Sequence, residues 1–369
     1  MSDAITLGQW NRTLLERQHL LRRVADDAID VLDRVVGMQS QDPRAPFYGL
    51  HSRIDGFVPD ELDELLTDRA VVRMVLLRGT LFLVDAEDAR WLRPLGQPAL
   101  DAAIRTTHRR RLTTGADTGT VITEAAALLR GRELTGAALG AELAARFPGE
   151  NPSDLTAVAR CGLPLVQVPP RGLWRGRGGV TYRLFDDWVG AREPALTGDE
   201  ARKELIRLYL RGFGPASAAG IGTWSGVRGL APVLAAMERD WELVRYSGPG
   251  GETLYDLDGL GLTDADIPAP VRLVAPFDHV LVAQGDRGRI ADADAYARTV
   301  TPNGRSPGFL LVDGRLAGQW KTTGSQVHTE LFGRLSARRR AELDAEVERV
   351  SQWQQSGAGV TGRSGDGGS

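Results

Sequence analysis

The chain has 369 residues, 42% of them hydrophobic and 25% charged, with 45 lysines and arginines against 48 aspartates and glutamates, a formal net charge of −3. Such a length exceeds one small core and predicts two or three packed units of a soluble globular protein. A single cysteine, Cys161, excludes a disulfide framework and a thiolate metal site, and the near-neutral charge does not advertise nucleic-acid binding.

No apolar run approaches the roughly 20 residues that span a bilayer. Met1-Ser2-Asp3-Ala4-Ile5-Thr6 lacks the basic-then-apolar pattern of a signal peptide, so a cytoplasmic location is expected. Lysine occurs only at Lys203 and Lys321. The arginine bias suits phosphate contacts, and it equally suits a GC-rich genome.

In chain order, Asp26 to Met38 repeats apolar residues at helical spacing, and Gln39 continues that face. Pro59 to Leu66 reads as a second helix. Val71 to Leu77 and Leu81 to Val84 read as strands joined through Arg78-Gly79-Thr80, a hairpin. Helices followed by such a hairpin make a winged helix. Asp85 to Arg111 is helical again from an acidic cap. A second round follows: helices Ile122 to Arg130, Thr135 to Phe147 and Ser153 to Arg160, then strands Leu165 to Val168 and Val180 to Leu184. The third has helices Asp199 to Leu210, Pro215 to Trp224 and Leu230 to Glu238, then strands Glu242 to Tyr246 and Glu252 to Asp256. Beyond Pro268 the texture is strand-rich, with candidates at Arg272 to Ala275, Val280 to Ala283, Phe309 to Val312 and Leu316 to Trp320; Asp313-Gly314 makes a tight turn. A charged helix, Ser336 to Gln352, precedes a Gly- and Ser-rich tail from Ser356 expected to be disordered.

The stretch Gly37-Met38-Gln39-Ser40-Gln41-Asp42-Pro43-Arg44 is the most informative. Pro43 biases Asp42 away from helical torsions, so the helix should end here. In an extended exit, residues two apart face one side, which would let Gln39 and Gln41 share a cavity. An amide donates and accepts hydrogen bonds but cannot ionise. Two could hold a water without acting as a strong base, which suits a substrate whose leaving group is already activated. The alternative is a polar helix end with solvated amides. Arg44 beside the glutamines and Arg78 at the hairpin tip could contact phosphate or simply be surface arginines. The cluster Arg105 to Arg111, including Arg109 and Arg110, could track a DNA backbone or serve the helix dipole. The five histidines show no metal-ligand spacing, and Gly220-Ile221-Gly222 only approximates a dinucleotide fingerprint and follows no strand. No cofactor or metal is implied.

Three helix-and-hairpin rounds, the Gln39-Ser40-Gln41-Asp42-Pro43 turn, the Leu77-Arg78-Gly79-Thr80-Leu81 wing and Ala275-Pro276-Phe277-Asp278-His279 together resemble one family. It is the winged-helix DNA glycosylases typified by the azinomycin-resistance enzyme that unhooks interstrand crosslinks. The resemblance covers roughly residues 5 to 350. It implies that Gln39 and Gln41 carry the chemistry in a concave DNA-binding channel, as in the Gln-x-Gln branch; the middle residue is Ser40 where an aliphatic one is usual. It further implies that the segment with Asp278, His279, Arg287 and Arg289 lies near the lesion, for minor-groove contact or for core packing.

The expected fold class is α+β: winged-helix units at 1–118, 119–196 and 197–267, a strand-rich region at 268–355 and a tail at 356–369, C-shaped around DNA. The expected activity is a monofunctional DNA glycosylase, a monomer acting on double-stranded DNA with N7-alkylated purines or interstrand crosslinks, in antibiotic self-resistance or alkylation repair. A lyase would need an amine nucleophile, and two lysines and the N-terminus are all that is available. The rival reading is a non-enzymatic winged-helix transcriptional regulator, since fold alone does not decide function. Such a regulator usually brings a dimerisation helix and symmetric half-sites, which three unlike units fit poorly.

Overall fold

The structure, a computed structural model, describes residues 3–301 and 304–356, so the tail beyond Ser356 lies outside the described residues. The fold mixes helices and strands in an α+β arrangement. Three stretches repeat one order: a helix, a short strand or bridge, two helices and a hairpin. In the first, Ala28–Arg34, Met38–Gln39, Ala45–His51 and Pro59–Thr67 precede the hairpin Val71–Val75 and Leu81–Asp85. In the second, Thr118–Leu129, Leu134–Thr135, Gly136–Arg146 and Pro152–Gly162 precede Leu165–Gln167 and Thr181–Leu184. The third has Gly198–Phe213, a bridge from Ala216 to Tyr255, helices Ala218–Ser225 and Leu230–Arg239, and the hairpin Leu243–Ser247 and Thr253–Leu257.

The hairpins of the first two repeats are not separate. They join where Met74 pairs with Val166, giving a six-stranded sheet with Met38–Gln39 at one edge. Strand Asp3–Ala4 and helix Leu7–Arg17 pack on the third repeat instead of the first: the strand pairs in parallel with Leu243–Ser247, and Gln18, just after the helix, donates to Gly212 O. Sequence periodicity missed this helix because its buried face includes Asn11, Arg12 and Arg17, which read as surface residues. Its start is nonetheless chemically marked, by a reciprocal Thr6–Gln9 capping box. The last sheet is antiparallel in the order Arg272–Val274, Gly308–Val312, Arg315–Thr323, Gln326–Leu331. Asp313 and Gly314, with φ of 51° and 74°, make its tight turn. Gln326–Leu331 alternates exposed and half-buried residues and carried no apolar signal.

Two expected elements change. The helix expected to reach Met38 ends at Arg34, because Val36 and Gly37 adopt φ of 62° and 70°. Val280 to Ala283 forms consecutive turns instead of a strand; Phe277 and Ala283 take positive φ, which extended pairing does not accommodate.

Two apolar cores meet at this turn segment. One gathers Phe82, Tyr209, Phe213 and Trp224 with Val274 and Val280. The other is aromatic: Phe47, Tyr48, Trp174, Trp320 and Trp353, with Ala275. His51 stacks on Trp353 at 4.4 Å in the second core. Burial, then the charges of Arg23, Arg349 and Arg272, push its pKa from 6.5 to about 3. The unfolded chain therefore binds a proton below pH 6.5 that the folded one refuses until about pH 3, so stability falls as pH drops through that window. Each pH unit costs about 1.4 kcal/mol from this group. His51→Phe, which keeps the stack, should flatten the fall in melting temperature between pH 6.5 and 4.5; an unchanged slope would refute the assignment.

Candidate active site

The Gln39 site is assembled by the early helix stop. A Cβ at Gly37 would sit 2.8 Å from Leu83 O, so only glycine lets the chain pass this close to the wing strand with its positive φ. The chain then turns extended, with Met38 opposite Leu83 and Gln39 opposite Phe82. Ser40 N–H donates to Leu81 O at 2.7 Å, prolonging the edge pairing. Gln39 is thus placed by a strand, not by the helix face expected from its spacing. Asp42 Oδ1 accepts from Arg44 N–H at 2.9 Å, and Pro46 starts the next helix.

Ser40 explains its own presence. It is fully buried, and its Oγ and carbonyl accept from Arg73 Nε and Nη2, both at 2.8 Å, while Gln167 Oε1 takes Arg73 Nη1 at 2.9 Å. An aliphatic residue here would leave Nε of this buried guanidinium without a partner.

Behind Gln39 lies a cavity with about 10 Å³ open to the centre of a water, bounded by Gln18, Gln39, Arg53 and the segment from Ala275 to His279. Its wall is a buried ion pair. Arg53 Nη1 and Nη2 donate to Asp278 Oδ2 and Oδ1 at 2.8 and 2.9 Å, and Arg53 also reaches Gln18 Oε1 at 3.1 Å. Gln39 Oε1, Arg53 Nε and His279 Nδ1 are buried without protein partners. Gln41 is exposed and does not line this cavity, so the two glutamines do not share it.

The other expected contacts divide by exposure. Arg44 is exposed, with its guanidinium 5.2 Å over Trp174. Arg109 and Arg110 are exposed in the 3-10 turn Arg109–Arg111 that ends the long helical run from Ala86. Arg287 is half-buried over Tyr296 at 3.7 Å. The rest turn inward. Asp278 is taken by Arg53, and Arg289 is fully buried, donating to Phe213 O at 2.6 Å and Pro215 O at 3.0 Å; neither is presented to a groove. His279 is buried, and Arg78, though at the hairpin tip, turns its guanidinium inward over Phe82 and to 3.4 Å from His279 Nε2. Burial lowers the Arg78 pKa to about 10, so it stays charged at neutral pH.

Sequence reasoning missed Gln18, Arg53 and Arg73. In an arginine-rich chain a buried arginine carries no label, although Arg73 inside an otherwise apolar strand was a legible hint. Among the described residues, no group of three His, Cys, Asp or Glu side chains could hold a metal ion, and no helix is long and apolar enough to cross a membrane.

A family model described as DNA glycosylase AlkZ-like matches residues 32–353. An interstrand DNA cross-link repair glycosylase from Streptomyces sahachiroi is 24% identical over an alignment of 355 residues, gaps included, that covers 85% of this chain and 87% of that one. The solved structure of the Streptomyces sahachiroi DNA glycosylase AlkZ shares the fold, with a TM-score of 0.75 at 20% identity over 95% of this chain and 97% of that chain.

Proposed function

The chain belongs to the AlkZ-like DNA glycosylase family, and we propose that this enzyme hydrolyses the N-glycosidic bond of N7-alkylated purines in duplex DNA, bulky adducts and interstrand crosslinks included. The observation that carries this reading is that no described residue in the cavity wall behind Gln39 offers a free carboxylate. Asp278 is the one acid there, and both its oxygens are held by Arg53. Amides alone cannot force out a neutral base. Alkylation at N7 makes the purine cationic and its bond to the sugar labile, so departure leaves an oxocarbenium-like centre that needs an aligned water more than an acid. Gln41 orients that water; Gln39 holds it or contacts the sugar and phosphate.

The cavity beside Gln39, with about 10 Å³ for a water, is far too small for a purine. That supports chemistry in an open channel with little flipping, the only course open to a base still linked across the duplex. Lys203 is paired with Glu200 at 3.2 Å, and neither it nor Lys321 lines the site, which supports hydrolysis without a lyase step. The three repeats are read as winged-helix units spanning 1–118, 119–196 and 197–267, followed by 268–355, a C-shaped monomer curved around duplex DNA. The helix–strand–helix–helix–hairpin order supports this. Of the arginines singled out in the sequence, Arg44, Arg109, Arg110 and Arg287 are left to meet phosphates. The cross-link repair role of the relative favours crosslinked guanines among the substrates, met in the cytoplasm on chromosomal DNA.

The test is duplex carrying N7-methylguanine, and one carrying an N7-linked interstrand crosslink, with abasic sites read as strand scission after mild alkali. Release well above the spontaneous rate is expected for both. Binding with background release would leave a DNA-binding regulator.

A further inference from the structure

Gln39 and Phe82 stand opposite each other in the edge pair, so their side chains leave the sheet on one face. The Phe82 ring lies 5.1 Å from the imidazole of His279, and Gln39 and His279 line the same cavity. Each has one buried atom without a protein partner, Oε1 in the amide and Nδ1 in the imidazole. The state of that Nδ1 follows from the other nitrogen. Arg78 Nη2 is 3.4 Å from His279 Nε2, and a guanidinium has only donors, so Nε2 accepts and the ring proton sits on Nδ1. Burial first, then Arg78 and Arg53, hold the imidazole pKa well below 6.5, so the ring is neutral at physiological pH. His279, Arg53 and Gln39 all line the cavity, and their buried atoms without protein partners are two donors, Nδ1–H and Nε–H, and one acceptor, Oε1. About 10 Å³ open to a water's centre is one water's worth, and these partners are a water's complement.

Resting on the glycosylase reading above, we propose that His279 is a positioning residue for Gln39: held as its Nδ1–H tautomer by Arg78, it donates through one buried water to Gln39 Oε1 and fixes the amide with Nε2 toward the DNA. Which way a glutamine amide points is decided by its hydrogen-bond network, and here the inner side is an oxygen's place. The outward group of Gln39 is then a donor. It serves a phosphate or sugar oxygen of the lesion strand, and the acceptor for the attacking water falls to Gln41. The two glutamines divide the work.

The test is a set of substitutions at His279 in wild-type and Gln39→Ala backgrounds, measuring single-turnover base release from duplex containing N7-methylguanine, with duplex affinity and melting temperature as controls. His279→Phe should lower release about 10²-fold, the scale of a misplaced reacting group, with affinity unchanged. His279→Asn, which carries a donor near the Nδ1 position, should retain most of the rate, and His279→Gln, whose amide lies near Nε2, should not. This pair decides the matter if the Phe variant fails to fold. In the Gln39→Ala background, His279→Phe should cost nothing more, because the group it positions is gone. A silent His279→Phe, equal losses in Asn and Gln variants, or full additivity with Gln39→Ala would each overturn the role of His279 and leave the glycosylase site standing. Unaltered release by Gln39→Ala itself would instead strike the site reading, and this inference with it.

Discussion

Gln39→Ala should lower base release from duplex carrying N7-methylguanine by about 10²- to 10³-fold, the cost of deleting one preorganised hydrogen-bonding group, while duplex affinity stays unchanged. The size follows from how firmly the backbone that carries the amide is held. Gln39 lies in an edge strand whose register is fixed on both sides, by Met38 opposite Leu83 and by Ser40 N–H on Leu81 O. The adjoining Ser40 is locked to Arg73. A group fixed before substrate arrives loses no rotamer freedom at the transition state, so its removal registers in the rate. Gln41 is exposed, so its side chain has rotamer freedom still to lose against DNA. Gln41→Ala should therefore cost less, about 10- to 10²-fold, and the double variant less than the product of the two. Single-turnover kinetics at saturating enzyme would show this. A Gln39→Ala enzyme within a few-fold of wild type would end the assignment of catalysis to this turn.

The contrast between the two glutamines marks how far sequence could reach. The pair itself was legible, because Pro43 forces an extended exit and an amide pair there is unusual. The route to burial was not. Periodicity from Ala28 to Val36 invited a helix through Gln39, and only the contact between Gly37 and Leu83 O, forty-six residues apart, ends it sooner. Repeats were legible for a similar reason: Thr135 caps its helix by accepting from Ala138 N–H at 3.1 Å, and each hairpin reads from its own strand formers. Their joining into one sheet through a single Met74–Val166 pairing left no local mark.

Charged residues were the least legible. Arg78 reads in the sequence as a phosphate contact or a surface arginine, and the resemblance put Asp278 and Arg289 near the lesion, for minor-groove contact or for core packing. Here Arg289 and Arg53 are among the largest fully buried side chains. Their acceptors are backbone carbonyls, the side-chain oxygens of Gln18, Ser52 and Gln284, and one carboxylate, none of which has a sequence pattern. The same burial that withdraws these groups from DNA builds the wall behind Gln39.

That wall gives the second large effect, on stability. Arg53→Ala or Asp278→Ala should each destabilise the fold by about 3–5 kcal/mol, since removing one partner leaves the other charge buried and unpaired. The geometry leaves no solvent to rescue either: the side chains are 1% and 5% exposed, and the bidentate contacts are 2.8 and 2.9 Å. Arg53 also holds Gln18 Oε1 and Gly49 O, and Asp278 Oδ1 takes Val280 N–H at 3.0 Å, so each deletion opens several bonds. Replacing both by apolar residues of similar size, Arg53→Met with Asp278→Leu, removes the stranded charge. The double variant should then be less destabilised than the sum of the singles, as a denaturant-unfolding cycle would measure. Strict additivity, or single losses under about 1 kcal/mol as for exposed pairs, would mean the pair is solvated in solution. Even the recovered double variant should release bases slowly, because the unpartnered Nε donor of Arg53, a residue of the cavity wall, is gone. Stability restored without activity would separate the ion pair's contribution to folding from its place in the wall behind Gln39.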